Sequence, residues 1–178
     1  MGLVESCASN GYITIAGYRI ATDETELRLQ GRGLTNDDIK KLERMSNLKK
    51  LYLTENCISD ISPLRSLTNL TELYLGKNMI SDEQLMFLLP LINLETLSLH
   101  GNGITDIKPL RVLTSLTYLD LSDNDISDLT PLQKLSDLKK EQKKPALETL
   151  KLKGNSRLSA EQIQDLQAAL PTCNISDR

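Results

Sequence analysis

The chain has 178 residues, a net charge of −3 and a hydrophobic fraction of 39%, with one phenylalanine and no tryptophan. The small negative charge argues against a nucleic-acid partner and against binding to an anionic membrane. No apolar run approaches the ~18 residues of a transmembrane helix, so we expect no membrane span. No apolar segment follows Met1 either, so we expect an intracellular protein or one whose signal peptide has been removed.

The N-terminal segment, residues 1–25, contains the signals of a β-hairpin. Two β-rich runs, 12–15 and 18–21, flank the dipeptide Ala16-Gly17. A two-residue link that contains glycine favours a tight hairpin turn between such runs. We expect this hairpin to form a cap over the structural unit that follows it.

Residues 26–158 repeat the pattern Leu-x-Leu-x-x-Asn-x-(Ile/Leu) after one degenerate copy, in which Arg32 replaces the asparagine. The asparagines of the complete copies are Asn56, Asn78, Asn102, Asn124 and Asn155. The pattern is identified as that of the leucine-rich repeat, in which a single unit cannot bury its apolar face and units stack into a solenoid. We predict an α/β solenoid of six coils: a right-handed horseshoe with a concave parallel sheet.

The asparagines are expected to hold neighbouring coils together. Each lies where the chain turns out of a strand, and a buried amide there can donate to and accept from the backbone of adjacent coils. We therefore predict a structural ladder that consists of the five asparagine side chains.

The segments that return each coil to the next strand are predicted to lie on the convex side. Pro63, Pro109 and Pro131 each permit a tight first turn and little more, which favours short 3₁₀ turns. Coils without that proline carry helix-start signals instead, at 35–38 and in the capping sequence Ser-Asp-Glu-Gln at 81–84, so helices are expected there.

The C-terminal segment, residues 159–178, is predicted to cap the last coil with a helix at 160–170 that ends at Pro171. The tail at 173–175 is expected to lie back on the core. Asn124 and Asn155 are 31 residues apart, against 22 between Asn102 and Asn124. The extra residues, near 139–146, are rich in lysine and predict a solvated loop or a charged helix tail, either a contact element or a tolerated insertion.

The cysteines, Cys7, Cys57 and Cys173, are odd in number and far apart along the solenoid, so free thiols are expected. No Cys/His spacing indicates zinc, and the aspartates of the fourth repeat lack the glycine and glutamate of a calcium-binding loop. We expect no metal and no cofactor. His100 is the single histidine and is interpreted as an exposed contact residue because no nucleophile is evident beside it.

Residues that flank the strand leucines point away from the core and form rows across the predicted sheet. Tyrosine is favoured at interfaces because it combines a large contact area with one hydroxyl group. The alternative is a solvated strand face on which tyrosine reflects β-propensity. The candidate ligand-binding residues are Tyr52, Tyr74 and Tyr118, flanked by Lys50, Glu72, His100 and Asp120.

Residues 58–64 and 68–82 resemble the 22-residue repeat of the bacterial internalins, a repeat class that also occurs in a regulatory subunit of protein phosphatase 1. The resemblance implies a non-enzymatic module that binds a protein ligand on its concave face. We expect the protein to be a monomer. It further implies a bacterial surface or secreted protein, extracellular if a signal peptide was removed. The alternatives are a cytosolic scaffold or regulatory subunit, or a glycan binder.

Overall fold

A computed structural model describes residues 11–177 of the chain. Its strands are β1 (Tyr12–Ile15), β2 (Tyr18–Ala21), β3 (Glu26–Arg28), β4 (Lys50–Tyr52), β5 (Glu72–Tyr74), β6 (Thr96–Ser98), β7 (Tyr118–Asp120), β8 (Thr149–Lys151) and β9 (Asn174–Ser176). Its α-helices are α1 (Asn36–Lys40), α2 (Thr130–Glu141) and α3 (Ala160–Ala169), and its 3₁₀ segments are Lys41–Arg44, Ser62–Ser66, Asp82–Leu88 and Lys108–Val112. From β3 onward, a strand and a helical segment alternate once per repeat.

Strands β3 to β9 form one seven-stranded parallel sheet in chain order. The register pairs equivalent positions of successive coils, so that Leu51 lies beside Leu73 and Leu73 beside Leu97. These leucines point to one side of the sheet and are fully buried. The predicted solenoid with a concave parallel sheet is confirmed.

Each coil fills the core with side chains from both its strand and its return segment. In the coil that begins at β4, the strand end supplies Leu53 and the return path supplies Ile58, Leu64 and Leu70, all fully buried. Burying a side chain of this size contributes about 1.5–3 kcal/mol. Apolar residues recur at these equivalent positions in the coils because each coil packs only against its two neighbours.

The N-terminal hairpin is present as predicted, with β1 and β2 paired antiparallel. Ala16 and Gly17 both have positive φ angles, 47° and 82°, as the two central residues of a tight hairpin turn require. Ile13 and Ile15 are buried against the first coil, so the hairpin closes that end of the core. Residues 1–10 of the predicted cap, including Cys7, lie outside the described residues, whereas Cys57 and Cys173 are free thiols.

The C-terminal cap consists of helix α3 followed by an additional strand. Ser159 accepts a hydrogen bond from the Gln162 backbone and forms a capping box that starts α3. After Pro171 the chain turns back, and β9 pairs with β8 so that Ile175 lies beside Leu150. The sequence predicted six coils, and β9 is a strand beyond them that the leucine pattern does not mark.

The return segments differ in part from the prediction. The segments at Pro63 and Pro109 are 3₁₀ helices as expected. Pro131 instead lies in the first turn of the twelve-residue helix α2, so the prediction of a short 3₁₀ turn there was wrong. The capping sequence at 81–84 starts a 3₁₀ segment rather than an α-helix. That segment packs between the 3₁₀ segments of the two neighbouring coils.

The lysine-rich segment near 139–146 was expected to be a solvated loop or a charged helix tail. A helix does reach Glu141, but solvation of Lys139 was wrong. Helix α2 runs through Lys139, whose side chain is only 2% exposed. The Lys139 ammonium donates hydrogen bonds to the backbone carbonyls of Thr114 (2.9 Å) and Leu116 (2.6 Å) on the preceding coil. The first part of the insertion is therefore a helix that is attached to the core, and residues 140–146 are exposed.

Candidate functional site

The ladder asparagines bridge successive coils on the inner side of the sheet. The Asn56 amide nitrogen donates to the carbonyls of Leu29 (2.9 Å) and Leu53 (2.8 Å), and its carbonyl oxygen accepts from the backbone amide of Leu34 (3.0 Å). Equivalent pairs of leucine carbonyls accept hydrogen bonds from Asn78, Asn102, Asn124 and Asn155. These bonds satisfy buried backbone groups, so the ladder holds the scaffold on which the outer residues sit.

The residue before each ladder position adopts a left-handed conformation. These residues are Gly31, Glu55, Lys77, Gly101, Asp123 and Gly154, with φ angles between 52° and 83°. A left-handed residue turns the chain sharply out of the strand, and for non-glycine residues it costs about 1–2 kcal/mol. The Gly31-Arg32-Gly33 segment of the degenerate repeat is thus one of these turns.

The outward side chains of the sheet form two aligned rows on the concave face, as the strand pairing shows. The first row consists of Arg28, Tyr52, Tyr74, Ser98, Asp120 and Lys151. The second row consists of Glu26, Lys50, Glu72, Thr96, Tyr118 and Thr149. The candidate residues therefore lie on β4, β5 and β7, with His100 just after β6. Tyr118 is one row away from Tyr52 and Tyr74.

The N-terminal half of the concave face carries a stack of three planar side chains, Arg28, Tyr52 and Tyr74, which we term the tyrosine stack. The rings of Tyr52 and Tyr74 lie with their centroids 4.6 Å apart and their planes within 7° of parallel. The Arg28 guanidinium lies 4.0 Å from the centre of the Tyr52 ring. In-register parallel strands are about 4.8 Å apart, so the sheet itself sets the spacing of the stack.

Acidic and basic side chains hold the tyrosine stack in place. One Glu72 carboxylate oxygen accepts from the hydroxyls of both Tyr52 and Tyr74 at 3.2 Å, while Lys50 pairs with the other oxygen at 2.6 Å. The hydrogen bond from Lys50 lowers the pKa of Glu72. Burial, followed by the charge of Glu72, raises the pKa of Tyr74 to about 12. A tyrosine hydroxyl is protonated at neutral pH in any case, and the raised pKa lets Tyr74 keep donating to Glu72 at higher pH.

The C-terminal half of the concave face is organised differently. The Oγ atom of Ser98 lies 3.0 Å from Nδ1 of His100, and the His100 ring lies over the backbone of Gly76, where a Cβ atom would collide with it. The candidate residue Asp120 accepts from Ser122 (2.7 Å) and lies 3.8 Å from Lys151. His100 is therefore half-buried and locked by its neighbours rather than a freely exposed contact residue.

Tyr118 belongs to this second half and not to the stack. The Lys151 ammonium lies 5.4 Å from the centre of the Tyr118 ring, within the range of a cation–π contact. The structure thus joins Lys50, Glu72, Tyr52 and Tyr74 in one network and places Tyr118 in another. Sequence reasoning missed Arg28 and Lys151, although both occupy the same row and each stands one strand away from a tyrosine.

The Ser98–His100 pair is the arrangement closest to a catalytic one among the candidate residues. A serine nucleophile needs an accessible hydroxyl, a base and a group that orients the base. Ser98 is only 3% exposed, and no carboxylate is bonded to the His100 ring among residues 11–177. Within the same residues, no cluster of side chains suits a metal ion, and no helix has the length and apolar character of a membrane span.

Comparison with known proteins places these features in a family. The sequence profile described as "Leucine Rich repeats (2 copies)" matches residues 46–85 and 92–134. Internalin C2 of Listeria monocytogenes is 32% identical, with a TM-score of 0.57, over 85% of this chain and 69% of that protein. The chain belongs to the internalin-like leucine-rich repeat proteins.

Two further structures share this internalin-like fold. A leucine-rich repeat protein of Leptospira interrogans is 28% identical over 77% of this chain, with a TM-score of 0.64. Internalin F of Listeria monocytogenes is 24% identical over 90% of this chain, with a TM-score of 0.59. The chain spans only 33% of the Leptospira protein and 57% of internalin F. No curated protein sequence matches the chain significantly.

Membership of this family has a general consequence for function. Leucine-rich repeat proteins are typically interaction modules without enzymatic activity, and the internalin-like fold makes a protein-interaction module the expected role. The predicted resemblance to internalins is therefore confirmed at the level of repeat class and fold.

Proposed function

We propose that this protein binds a protein ligand on its concave face, with the tyrosine stack at the centre of the contact. The observation that carries the proposal is the stack itself. Tyr52 and Tyr74 project outward and are half-buried, and the leucine core does not need them. The flanking positions of the proposed contact are Lys50, Glu72, His100, Asp120 and Tyr118.

The fixed conformation of the side chains in the tyrosine stack favours binding. Fixing a flexible side chain at an interface costs about 0.5–1.5 kcal/mol, and the ring contact and the shared Glu72 carboxylate already fix both tyrosines. Tyrosines held in this way present a rigid apolar surface together with hydroxyl and charged groups. Such anchors tend to contribute most of the affinity of a protein interface.

The flanking charges are largely neutralised within the surface. Lys50 pairs with Glu72, Arg28 pairs with Glu26 at 2.7 Å, and Asp120 faces Lys151. A surface of this kind does not attract one sign of charge over a long range. A folded protein of mixed charge is therefore a better match than a nucleic acid or an anionic membrane.

We further propose that the protein acts as a monomer at a bacterial surface or after secretion. The similarity to internalin C2 supports this location, and the caps at both ends of the solenoid support a monomer because they cover the open ends of the core. Cell fractionation with an antibody against the chain tests the location. Recovery in the cytosol alone would favour the scaffold alternative.

The binding proposal is tested by comparing three forms of the protein as bait: wild type, Tyr74→Ala, and Lys108→Ala as a convex-side control. Lys108 is exposed on the convex side, where it pairs with Asp106. The expected result is a protein retained by wild type and by Lys108→Ala but not by Tyr74→Ala. Retention by all three forms would move the site away from the concave face. Binding on a glycan array that Tyr74→Ala abolishes would instead favour the glycan alternative.

A further inference from the structure

A partly enclosed pocket of about 150 Å³ lies between the lysine-rich insertion and the C-terminal cap, away from the concave face. Helix α2 supplies one wall and the end of helix α3 the other. The lining residues are Ser136, Lys139, Lys140, Lys144, Ala146, Leu147, Ala169, Leu170, Pro171 and Thr172. The insertion that interrupts the repeat therefore contributes one wall of this cavity.

The lining of this pocket is positively charged and contains no acidic side chain. Lys139 is buried, and its ammonium donates only to backbone carbonyls. Lys144 has no ion-pair partner among the described residues. Lys140 lies 4.0 Å from Asp137 and donates to the carbonyl of Ala169 at 3.5 Å. Burial, together with repulsion from Lys144, lowers the pKa of Lys139 to about 8. An anion in the pocket would offset the positive charge of Lys140 and Lys144 at its exposed side.

The remaining lining is apolar and fixed. Leu147 and Leu170 are buried, and Pro171 and Ala146 complete the surface. The hydroxyl of Ser136 donates to the carbonyl of Ala169 at 3.2 Å, which holds the two walls together. A cavity of about 150 Å³ with apolar walls is large enough for a benzene-sized group.

We infer that this pocket binds a small carboxylate whose apolar part is about the size of a benzene ring. The apolar part would lie against Leu147, Leu170 and Pro171, and the carboxylate would face the ammonium groups of Lys140 and Lys144 at the exposed side. Two sources share this chemistry: a free aromatic or branched carboxylate, and the C-terminal aromatic residue of a peptide.

The inference is tested by titrating the full chain with benzoate at constant ionic strength and following amide chemical shifts by NMR. Benzamide has the same shape without the charge, and N-acetylphenylalanine represents a peptide C-terminus. We expect saturable shifts at the pocket residues with benzoate and at least tenfold weaker binding of benzamide. Tighter binding of N-acetylphenylalanine than of benzoate would assign a peptide, and the reverse would assign a free carboxylate.

Variants locate the site without disturbing the buried Lys139. Lys140→Gln combined with Lys144→Gln should weaken benzoate binding at least tenfold, and Ala146→Phe should block the pocket from its exposed side. Lys134→Gln changes a lysine of the same helix that does not line this pocket, and it should bind as wild type does. Equal binding of benzoate and benzamide, or unchanged binding by the double variant or by Ala146→Phe, would overturn the inference.

Discussion

The two faces of the parallel sheet differ in how much the residue at an equivalent position varies from one coil to the next. On the inner face, the central residue of every strand from β3 to β8 is leucine, and the ladder asparagine follows in each complete repeat. On the outer face, the equivalent row changes from arginine to tyrosine, serine, aspartate and lysine. The inner face is constrained by packing in every coil, whereas the outer face is free to differ and can therefore carry specific binding.

The comparison predicts the largest loss of stability for an inner-face leucine. Leu97 is fully buried at the middle of the sheet, so Leu97→Ala should lower the free energy of unfolding by about 2–5 kcal/mol. Urea denaturation followed by circular dichroism measures this change. Thr96→Ala alters the outward neighbour on the same strand and should cost less than 1 kcal/mol, as expected for many surface sites. Equal losses for the two variants would contradict the distinction between the faces.

A smaller loss is predicted for the ladder. Asn102 donates to the carbonyls of Leu75 (3.1 Å) and Leu99 (2.9 Å) and accepts from the amide of Ile80 (3.1 Å). Asn102→Ala leaves these groups without partners and should cost about 1–3 kcal/mol. Asn93 makes only one such bond, to the carbonyl of Thr68, at an exposed position. Asn93→Ala should therefore lower the stability less than Asn102→Ala does. An unchanged melting temperature for Asn102→Ala would mean that the ladder hydrogen bonds do not stabilise the solenoid.

The tyrosine stack should be visible in the pH dependence of stability. The pKa of Tyr74 is about 12 in the folded protein and about 10 in an unfolded chain. Between these values the unfolded state loses the proton first, so the contribution of Tyr74 is complete below pH 10 and is lost as the pH rises toward 12. Urea denaturation across this range should show a shallower decline for Tyr74→Phe than for wild type. An identical decline for the two proteins would mean that burial and Glu72 do not raise the pKa of Tyr74 in the folded protein.

The sequence predicts the parts of this structure that repeat. Each leucine and asparagine position follows from the same local pattern, and parallel register then aligns Tyr52 with Tyr74. The ring stack could have been anticipated from that alignment, and Arg28 follows from the same row. The separate row of Tyr118 follows from the same alignment, whereas its contact with Lys151 does not, because that contact depends on how the lysine side chain is oriented.

The features that the sequence does not predict depend on contacts between distant residues. Lys139 occurs in a run of lysines that is typical of a solvated segment, and its burial depends on carbonyls of Thr114 and Leu116 in the preceding coil. Strand β9 contains only one apolar residue, Ile175, and it forms because the edge of β8 is available to it. Neither contact leaves a periodic signal in the chain.

The central claim is that the concave tyrosine stack is the binding surface, and titration of the purified protein partner tests it most directly. The titration compares wild type, Tyr74→Ala and Lys108→Ala by isothermal calorimetry, after melting curves show that all three are folded. We predict a loss of about 2 kcal/mol, or roughly thirtyfold in Kd, for Tyr74→Ala and no change for Lys108→Ala. Equal affinity of Tyr74→Ala and wild type, with a loss for Lys108→Ala, would contradict the claim and place the site on the convex face.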